Sequence, residues 1–147
     1  FGTPGIDPGQ FDEQVGIAIN ARDEIFIADT WNQRIQVLTL DPQTGQAIPL
    51  RNWEIFGWFG QSLENKPYLA VDNLGSVFVT DPESYRVLQF TETGQFVRAW
   101  GDFSTAMDGF GLPSAVTVDP DGKIWVSDSA NNLLLRFSLP QQSSLPE

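Results

Sequence analysis

The chain has 147 residues, enough to bury a core as one domain, and its eight basic and nineteen acidic residues give a formal net charge of −11. Because phosphate backbones are bound mainly through Lys and Arg, this balance argues against a nucleic-acid partner. The sequence has no histidine and no cysteine, which excludes an imidazole base, a thiolate nucleophile and a histidine-bound zinc within these residues.

One pattern occurs three times along the chain, and such a repeat decides the fold class before any single motif does. An apolar run ends in an aspartate, a polar turn follows and a second apolar run begins, in residues 25–37, 77–90 and 124–137. The aspartates Asp29, Asp81 and Asp128 are 52 and then 47 residues apart. The extra five residues fall between Leu38 and Trp53, where residues 41–45 are typical of an enlarged turn.

In chain order, the repeat predicts a link, three units and a tail. Residues 1–16 form the link, 17–56 the first unit, 69–100 the second and 116–137 a third that lacks a clear fourth strand. Residues 138–147 are polar and contain two prolines, so we expect a tail rather than a strand. The short apolar runs are rich in β-branched and aromatic residues and are bounded by turn residues, which predicts strands. The fold class is therefore all-β, with four-stranded antiparallel blades of a β-propeller.

The repeats resemble those of the NHL-repeat β-propellers. The likeness covers residues 1 to about 137 and is carried by Gly-Gln-Phe at 9–11, by residues 16–19, by Ala-Asp-Thr at 28–30 with the Asn, Gln, Arg and Ile at 32–35, and by Gly-Gln-Phe at 94–96. The third unit departs from the pattern, with Leu133 where the first two units have Arg34 and Arg86. A role shared by three arginines is therefore excluded.

Three blades do not close a ring, since propellers have four to eight. We expect the chain to be the C-terminal half of a roughly six-bladed propeller, or a half-propeller that pairs with a second copy. The third blade would then acquire its fourth strand from elsewhere. The outer faces of the first and third blades are expected to be apolar and exposed when the chain stands alone.

The resemblance implies a non-catalytic binding or scaffold module for a protein or glycan partner, and leans towards a sensor-like domain outside a bacterial cell or on its surface. A second hypothesis is part of a propeller enzyme, of lyase or sugar-lactonase type, whose catalytic residues lie in absent blades. A third is a structural subunit of a larger assembly. No apolar run approaches the length of about 18 residues that a membrane span requires. We expect no cofactor and no metal, because the residues predicted to face the channel are almost all apolar.

Candidate contact residues lie in the polar turns after the second strand of each unit. They mix aromatics with amides and carboxylates, as protein and carbohydrate contacts often do. The predicted set is Trp31, Gln33, Glu83, Tyr85, Asn131 and Asn132. The links between units add Asn65 and Lys66 to the same face, together with aromatics that either pack between blades or join the surface: Trp58, Phe59, Phe103 and Phe110.

The recurring aspartates Asp29, Asp81 and Asp128 are predicted to be structural. A carboxylate at the start of a turn accepts backbone N–H groups two or three residues on, and a repeated turn repeats this need without any ligand. Residues 119–122, Asp-Pro-Asp-Gly, are interpreted as a plain hairpin turn, because their counterparts in the other units lack the spacing of a calcium loop.

Overall fold

The computed structural model describes residues 1–58 and 65–140. It consists of β-strands with one short 3-10 helix at Pro82–Ser84. A parallel pair, β1 (Thr3–Pro4) and β2 (Gln10–Phe11), precedes three antiparallel sheets. The strands of these sheets are β3 (Gln14–Ile19), β4 (Ile25–Asp29), β5 (Arg34–Leu40) and β6 (Ala47–Glu54); β7 (Leu69–Val71), β8 (Ser76–Asp81), β9 (Arg86–Thr91) and β10 (Phe96–Trp100); and β11 (Pro113–Val118), β12 (Ile124–Asp128) and β13 (Leu133–Phe137).

Each sheet pairs its strands in sequence order, and two sheets have four strands while the third has three in the described part of the chain. The innermost strands β3, β7 and β11 contact one another in succession. This arrangement confirms the all-β fold of antiparallel propeller blades. Residues 138–140 form no strand, and the remainder of the predicted tail, residues 141–147, lies outside the described residues.

Two blades begin earlier than their apolar runs. β3 starts at Gln14 rather than residue 17, and β11 starts at Pro113 rather than residue 116. In both strands a register shift follows the first pair, Gln14 with Asp29 and Pro113 with Asp128. Because of this β-bulge, the first residues of each strand are only weakly apolar or polar. The hydrophobic pattern of the sequence therefore does not mark the start of the strand. The fourth strand of the first blade ends at Glu54, two residues before the predicted boundary.

Two apolar cores lie between successive blades. The first packs Phe26, Ile35 and Val37 of the first blade with Val77 and Leu88 of the second. The second core is built in the same way between the second and third blades, around Phe78, Val87, Val116, Val126 and Leu135. Both faces of the middle blade are therefore buried, which explains the nearly continuous apolar runs of its strands.

The two outer faces differ. On the first blade Ile17 and Ile19 are 66% and 61% exposed, although Phe11 of the link covers the neighbouring Ile25 and Leu38. The expectation of an apolar exposed face holds for this part of the first blade.

The expectation is wrong for the third blade. Its far face carries Thr117, Ser127 and Arg136, and the Arg136 guanidinium lies 5.4 Å from the ring centre of Trp125 and donates to Asp119 at 3.0 Å. Leu134 is the large apolar side chain exposed there. This face satisfies its polar groups within its own blade.

The recurring aspartates are fully buried and connect distant segments. Asp29 accepts hydrogen bonds from the backbone N–H of Asp12 at 2.8 Å and from the side chains of Asn32, Arg34 and Gln36 at 3.0, 2.7 and 2.9 Å. Arg34 also donates to the backbone oxygens of residues 6, 7 and 10. One carboxylate and one guanidinium thus hold the incoming link against the blade.

We call this arrangement, a buried aspartate that holds the entering link, the clamp. It recurs at Asp81 and Asp128 with changed partners. Asp128 accepts from the backbone N–H groups of Gly111 and Leu112 at 2.9 and 2.7 Å. Asp81 accepts from Arg86 at 2.8 Å, and Arg86 donates to the backbone oxygen of Phe56 in the preceding link. In the described chain these aspartates thus contact the link that enters the blade, directly or through Arg86, whereas the prediction had them accept backbone N–H groups of their own turn.

The local turn bonds occur instead in the hairpins between the first two strands of each blade. There Asn20, Asp72 and Asp119 each use Oδ1 to accept backbone N–H groups two and four residues on. These bonds support the interpretation of residues 119–122 as a plain turn, because the Asp119 carboxylate is occupied by its own backbone, Trp125 and Arg136.

The hairpins between the first and second strands lie at one edge of the sheets, which we call the hairpin edge. There an ionic network connects the first two blades. Arg51 donates to both carboxylate oxygens of Glu24, at 3.0 and 2.9 Å, and to the backbone oxygen of Glu92. Arg22 pairs with Glu24 at 2.9 Å and with Glu92 at 2.7 Å. Hydrogen bonds from Arg51, then from Asn20 and Arg22, lower the pKa of Glu24 from 4.5 to about 2.

The clamp predicts a large cost for Asp29→Asn. The substitution leaves Arg34 without its charged partner and directs an amide N–H towards groups that are themselves donors. Removing one partner of a buried ion pair costs about 3–5 kcal/mol, so we expect the free energy of unfolding in urea to fall by that order. The control is Asp7→Asn, which changes an exposed side chain on the same link. Equal losses in the two variants would contradict the clamp.

The network predicts a pH dependence. Because folding lowers the pKa of Glu24, its ionised form stabilises the fold above the unfolded value of 4.5, and this contribution is lost as pH falls to about 2. Glu24→Gln should therefore be less stable than the parent near neutral pH, and the difference should shrink as pH falls through that window. Thermal unfolding at a series of pH values measures it, with Asp23→Asn on the same hairpin as control. If the difference in stability between Glu24→Gln and the parent stays constant down to about pH 2, the loss of stability is caused by packing and not by the charge of Glu24.

Candidate functional site

The turns after the second strand of each blade lie at one edge of the sheets, as the sequential strand order requires. The last residue of each turn, Gln33, Tyr85 and Asn132, has a positive φ of 53°, 55° and 55°. The N–H of Gln33 donates to the oxygen of Thr30, and the N–H of Tyr85 to that of Pro82, which closes each turn tightly. Only glycine and, less often, asparagine readily adopt this left-handed backbone conformation. The backbone therefore constrains which residues suit these positions, independently of any role in binding.

Trp31 is half-exposed and is held by a charged neighbour from the next link. The Nζ of Lys66 lies 5.6 Å from the centre of its ring, within the range of a cation–π interaction. Lys66 also pairs with Glu13 at 3.0 Å. The indole face of Trp31 is thus presented beside one positive and one negative side chain.

Glu83 and Tyr85 extend this surface across the second blade. The carboxylate of Glu83 accepts from Asn65 at 2.8 Å, and Asn65 adjoins Lys66 in the chain. Tyr85 packs edge-on against Phe103, with ring centres 5.1 Å apart, and Phe103 is 61% exposed. Consecutive link residues therefore join the Trp31 turn to the Glu83 turn.

We call this surface the turn face; it comprises Glu13, Trp31, Asn65, Lys66, Glu83, Tyr85 and Phe103. Sequence reasoning named all of these except Glu13, which it assigned to a link. The signal for Glu13 is weak, because a single acidic residue in a loop has no neighbours in sequence that mark it.

The third turn contributes differently. Asn131 donates its side-chain N–H groups to Asp128 and to the backbone oxygen of Ser104, both at 2.7 Å, so it serves the clamp of the third blade. Asn132 is exposed. Of the link aromatics, Trp58 and Phe110 are buried between blades, while Phe59 lies outside the described residues.

Residues 1–58 and 65–140 contain no group of three acidic side chains placed to hold a metal ion. No helix capable of crossing a bilayer occurs in the same part of the chain. The side chains presented on the turn face are aromatic, amide and charged.

Comparison with known proteins identifies the repeats. The family model for the NHL repeat matches residues 15–38 and 110–137. The chain belongs to the NHL-repeat proteins. It is 34% identical over 127 residues to "Protein brain tumor" of Drosophila melanogaster and 28% identical over 149 residues to "B-box type zinc finger protein ncl-1" of Caenorhabditis elegans. These matches cover 86% and 94% of the NHL-repeat chain but only 11% and 16% of the relatives.

Solved structures agree on the fold. A putative 6-phosphogluconolactonase from Bacteroides uniformis matches 88% of the NHL-repeat chain and 38% of its own, with TM-score 0.66 and 15% identity. Virginiamycin B lyase from Staphylococcus aureus matches 95% of this chain and 44% of its own, with TM-score 0.56 and 16% identity. At these identities the likeness concerns the propeller fold alone.

The positive φ values predict a matched pair of stability changes. Gln33→Asn introduces the residue that the third turn already has, and should raise the free energy of unfolding by several tenths to about 1 kcal/mol. The reverse change, Asn132→Gln, should lower it by a similar amount. Chemical denaturation of both variants measures this, and shifts of the same sign would show that the backbone conformation is not the cause.

Proposed function

We propose that this NHL-repeat chain is a non-catalytic recognition module that binds a protein partner through the turn face. The observation that carries the proposal is the half-exposed indole of Trp31, fixed by Lys66 and flanked by Glu83 and the Tyr85–Phe103 pair. Rigid aromatic side chains with polar neighbours are the usual energetic centre of protein interfaces.

The charge of the face favours a protein over a nucleic acid. Its one lysine is neutralised by Glu13, and Glu83 adds a further carboxylate. A phosphate backbone requires several unpaired cations on one surface, and the turn face offers none in the described residues.

The other hypotheses remain separate proposals. The likeness to a lactonase and a lyase supports the fold and is not evidence for a reaction of this chain. The clamp accounts for Asp29, Asp81 and Asp128 without a catalytic role. A glycan partner and a location outside the cell also stay predictions.

The test is a selection of random peptides displayed on phage against the folded chain, followed by affinity measurements on Trp31→Ala and Tyr85→Ala. Truncating a central aromatic of an interface costs at least about 2 kcal/mol, so selected peptides should bind each variant more than about tenfold more weakly. Trp31→Ala should change the free energy of unfolding by less than about 1 kcal/mol, because its side chain is half-exposed.

Leu134→Ala serves as control, since Leu134 is exposed on the far face of the third blade. Peptides that bind the parent and both aromatic variants equally would contradict the assignment of this face. A parallel titration with single-stranded RNA and a glycan array distinguishes the partner class. Tight binding there, with no peptide selected, would overturn the choice of a protein.

A further inference from the structure

The junction between the second and third blades contains a cleft of about 520 Å³ at the hairpin edge, opposite the turn face. Phe78 and Ile124 form its apolar part, and its polar lining includes Gln89, Arg98 and Lys123. Volumes of this size are typical of small-ligand sites that combine an apolar lining with a few polar groups.

Two cations converge on this cleft without a carboxylate partner. The chain has eight Lys and Arg residues, and the six outside the cleft each form an ion pair with an acidic side chain. Arg98 and Lys123 form none within 4.0 Å in the described residues, and the hydrogen bond of the Arg98 side chain goes to the backbone oxygen of Pro140 at 3.3 Å. Neither cation therefore contributes an ion pair to the fold in the described residues.

A buried acceptor in the same cleft is also unpaired. Gln89 is only 8% exposed, and its Nε2 donates to Ser76 Oγ at 3.1 Å, while its Oε1 has no hydrogen-bond partner in the described structure. An unsatisfied buried carbonyl costs about 1–3 kcal/mol. This oxygen has almost no accessible surface, so a ligand donor recovers that cost once the Gln89 amide turns towards the cleft.

The repeat supplies an internal comparison, because the first junction has the same architecture. Arg51 corresponds to Arg98, 47 residues on, and Glu24 neutralises Arg51 in the first junction. The residue at the Glu24 position in the second blade is Ser76, 52 residues on, so Arg98 has no equivalent partner.

Further replacements open the second junction. Gln89 stands where the first blade has the buried Val37, and Leu139 stands where the second blade has Glu92. The ion-paired network of the first junction is thus replaced by a cleft whose two cations, Arg98 and Lys123, do not pair with its two carboxylates, Asp72 and Asp121.

We propose that this cleft binds a hydroxylated organic anion of monosaccharide size, such as a sugar acid. Arg98 and Lys123 bind the anionic group, and Gln89 Oε1 accepts from a hydroxyl of the ligand. The carboxylates of Asp72 and Asp121 line the rim and can accept from further hydroxyls. They also disfavour anions that carry no donor. The site lies on the opposite edge from the turn face and does not depend on the function proposed for it.

The test is isothermal titration of the full chain with four compounds. D-glucuronate carries both a carboxylate and hydroxyls, D-glucose lacks the charge, succinate lacks the hydroxyls, and D-glucose 6-phosphate replaces the carboxylate by a phosphate. We expect glucuronate or glucose 6-phosphate to bind at millimolar concentration or below, and glucose and succinate to bind at least about tenfold more weakly. The stronger of the first two identifies the anionic group.

Variants assign the contacts. Charge-assisted hydrogen bonds are worth about 1.5–3 kcal/mol, so Arg98→Gln and Lys123→Gln should each weaken binding by about tenfold or more. Gln89→Leu should weaken binding of the hydroxylated anion and leave the weak binding of succinate unchanged. Arg22→Gln, an exposed cation at the first junction, is the matched control and should bind as the parent does.

No binding of either hydroxylated anion to the folded parent at millimolar concentration would overturn the proposal. Equal affinity in the parent and in the Arg98→Gln, Lys123→Gln double variant would do the same, because the anion would then lie elsewhere. Circular dichroism of each variant confirms that any loss of binding occurs in a folded chain.

Discussion

The fold depends on a carboxylate buried at the end of the second strand of each blade. A propeller blade is a small sheet with a loop entering at one edge, and this loop has to be held against the sheet. Asp29 and Asp128 solve this by accepting backbone N–H groups from the entering link, and Asp81 does so through Arg86. Each buried carboxylate accepts hydrogen bonds, and this is the condition under which a protein interior tolerates such a charge.

The clamp also explains how the repeats vary. The first and second blades use an arginine five residues after the aspartate to reach the link. The third blade has Leu133 at that position, and Asn131 joins Asp128 to the oxygen of Ser104, as Asn32 joins Asp29 to the oxygen of Gly5 in the first blade. The aspartate is present in all three blades, while the side chains that donate to it differ. The link needs a hydrogen-bond acceptor at that point, and donors of several kinds can connect the carboxylate with the link.

The two inter-blade junctions also differ in how their charges are paired. In the first junction Arg22 and Arg51 are paired with Glu24 and Glu92, and the cleft at the same edge is smaller, about 160 Å³. In the second junction the pairing residues are absent, and Arg98, Lys123 and Gln89 face an open volume. The proposed anion site rests on this difference between the two copies of the repeat. The turn face lies at the opposite edge, where Trp31 and Phe103 remain exposed.

Much of this protein follows from its sequence. The spacing of the aspartates and the turn residues between apolar runs determined the all-β class, the three blades and the strand order, because strand formation and hairpin turns are local properties. The same pattern placed Trp31, Glu83 and Tyr85 together on one edge. Tertiary structure decided the rest. The partners of Asp29, the role of Asn131, the polar far face of the third blade and the unpaired state of Arg98 all depend on groups far away in the chain, and which distant groups meet is set by blade packing rather than by local sequence.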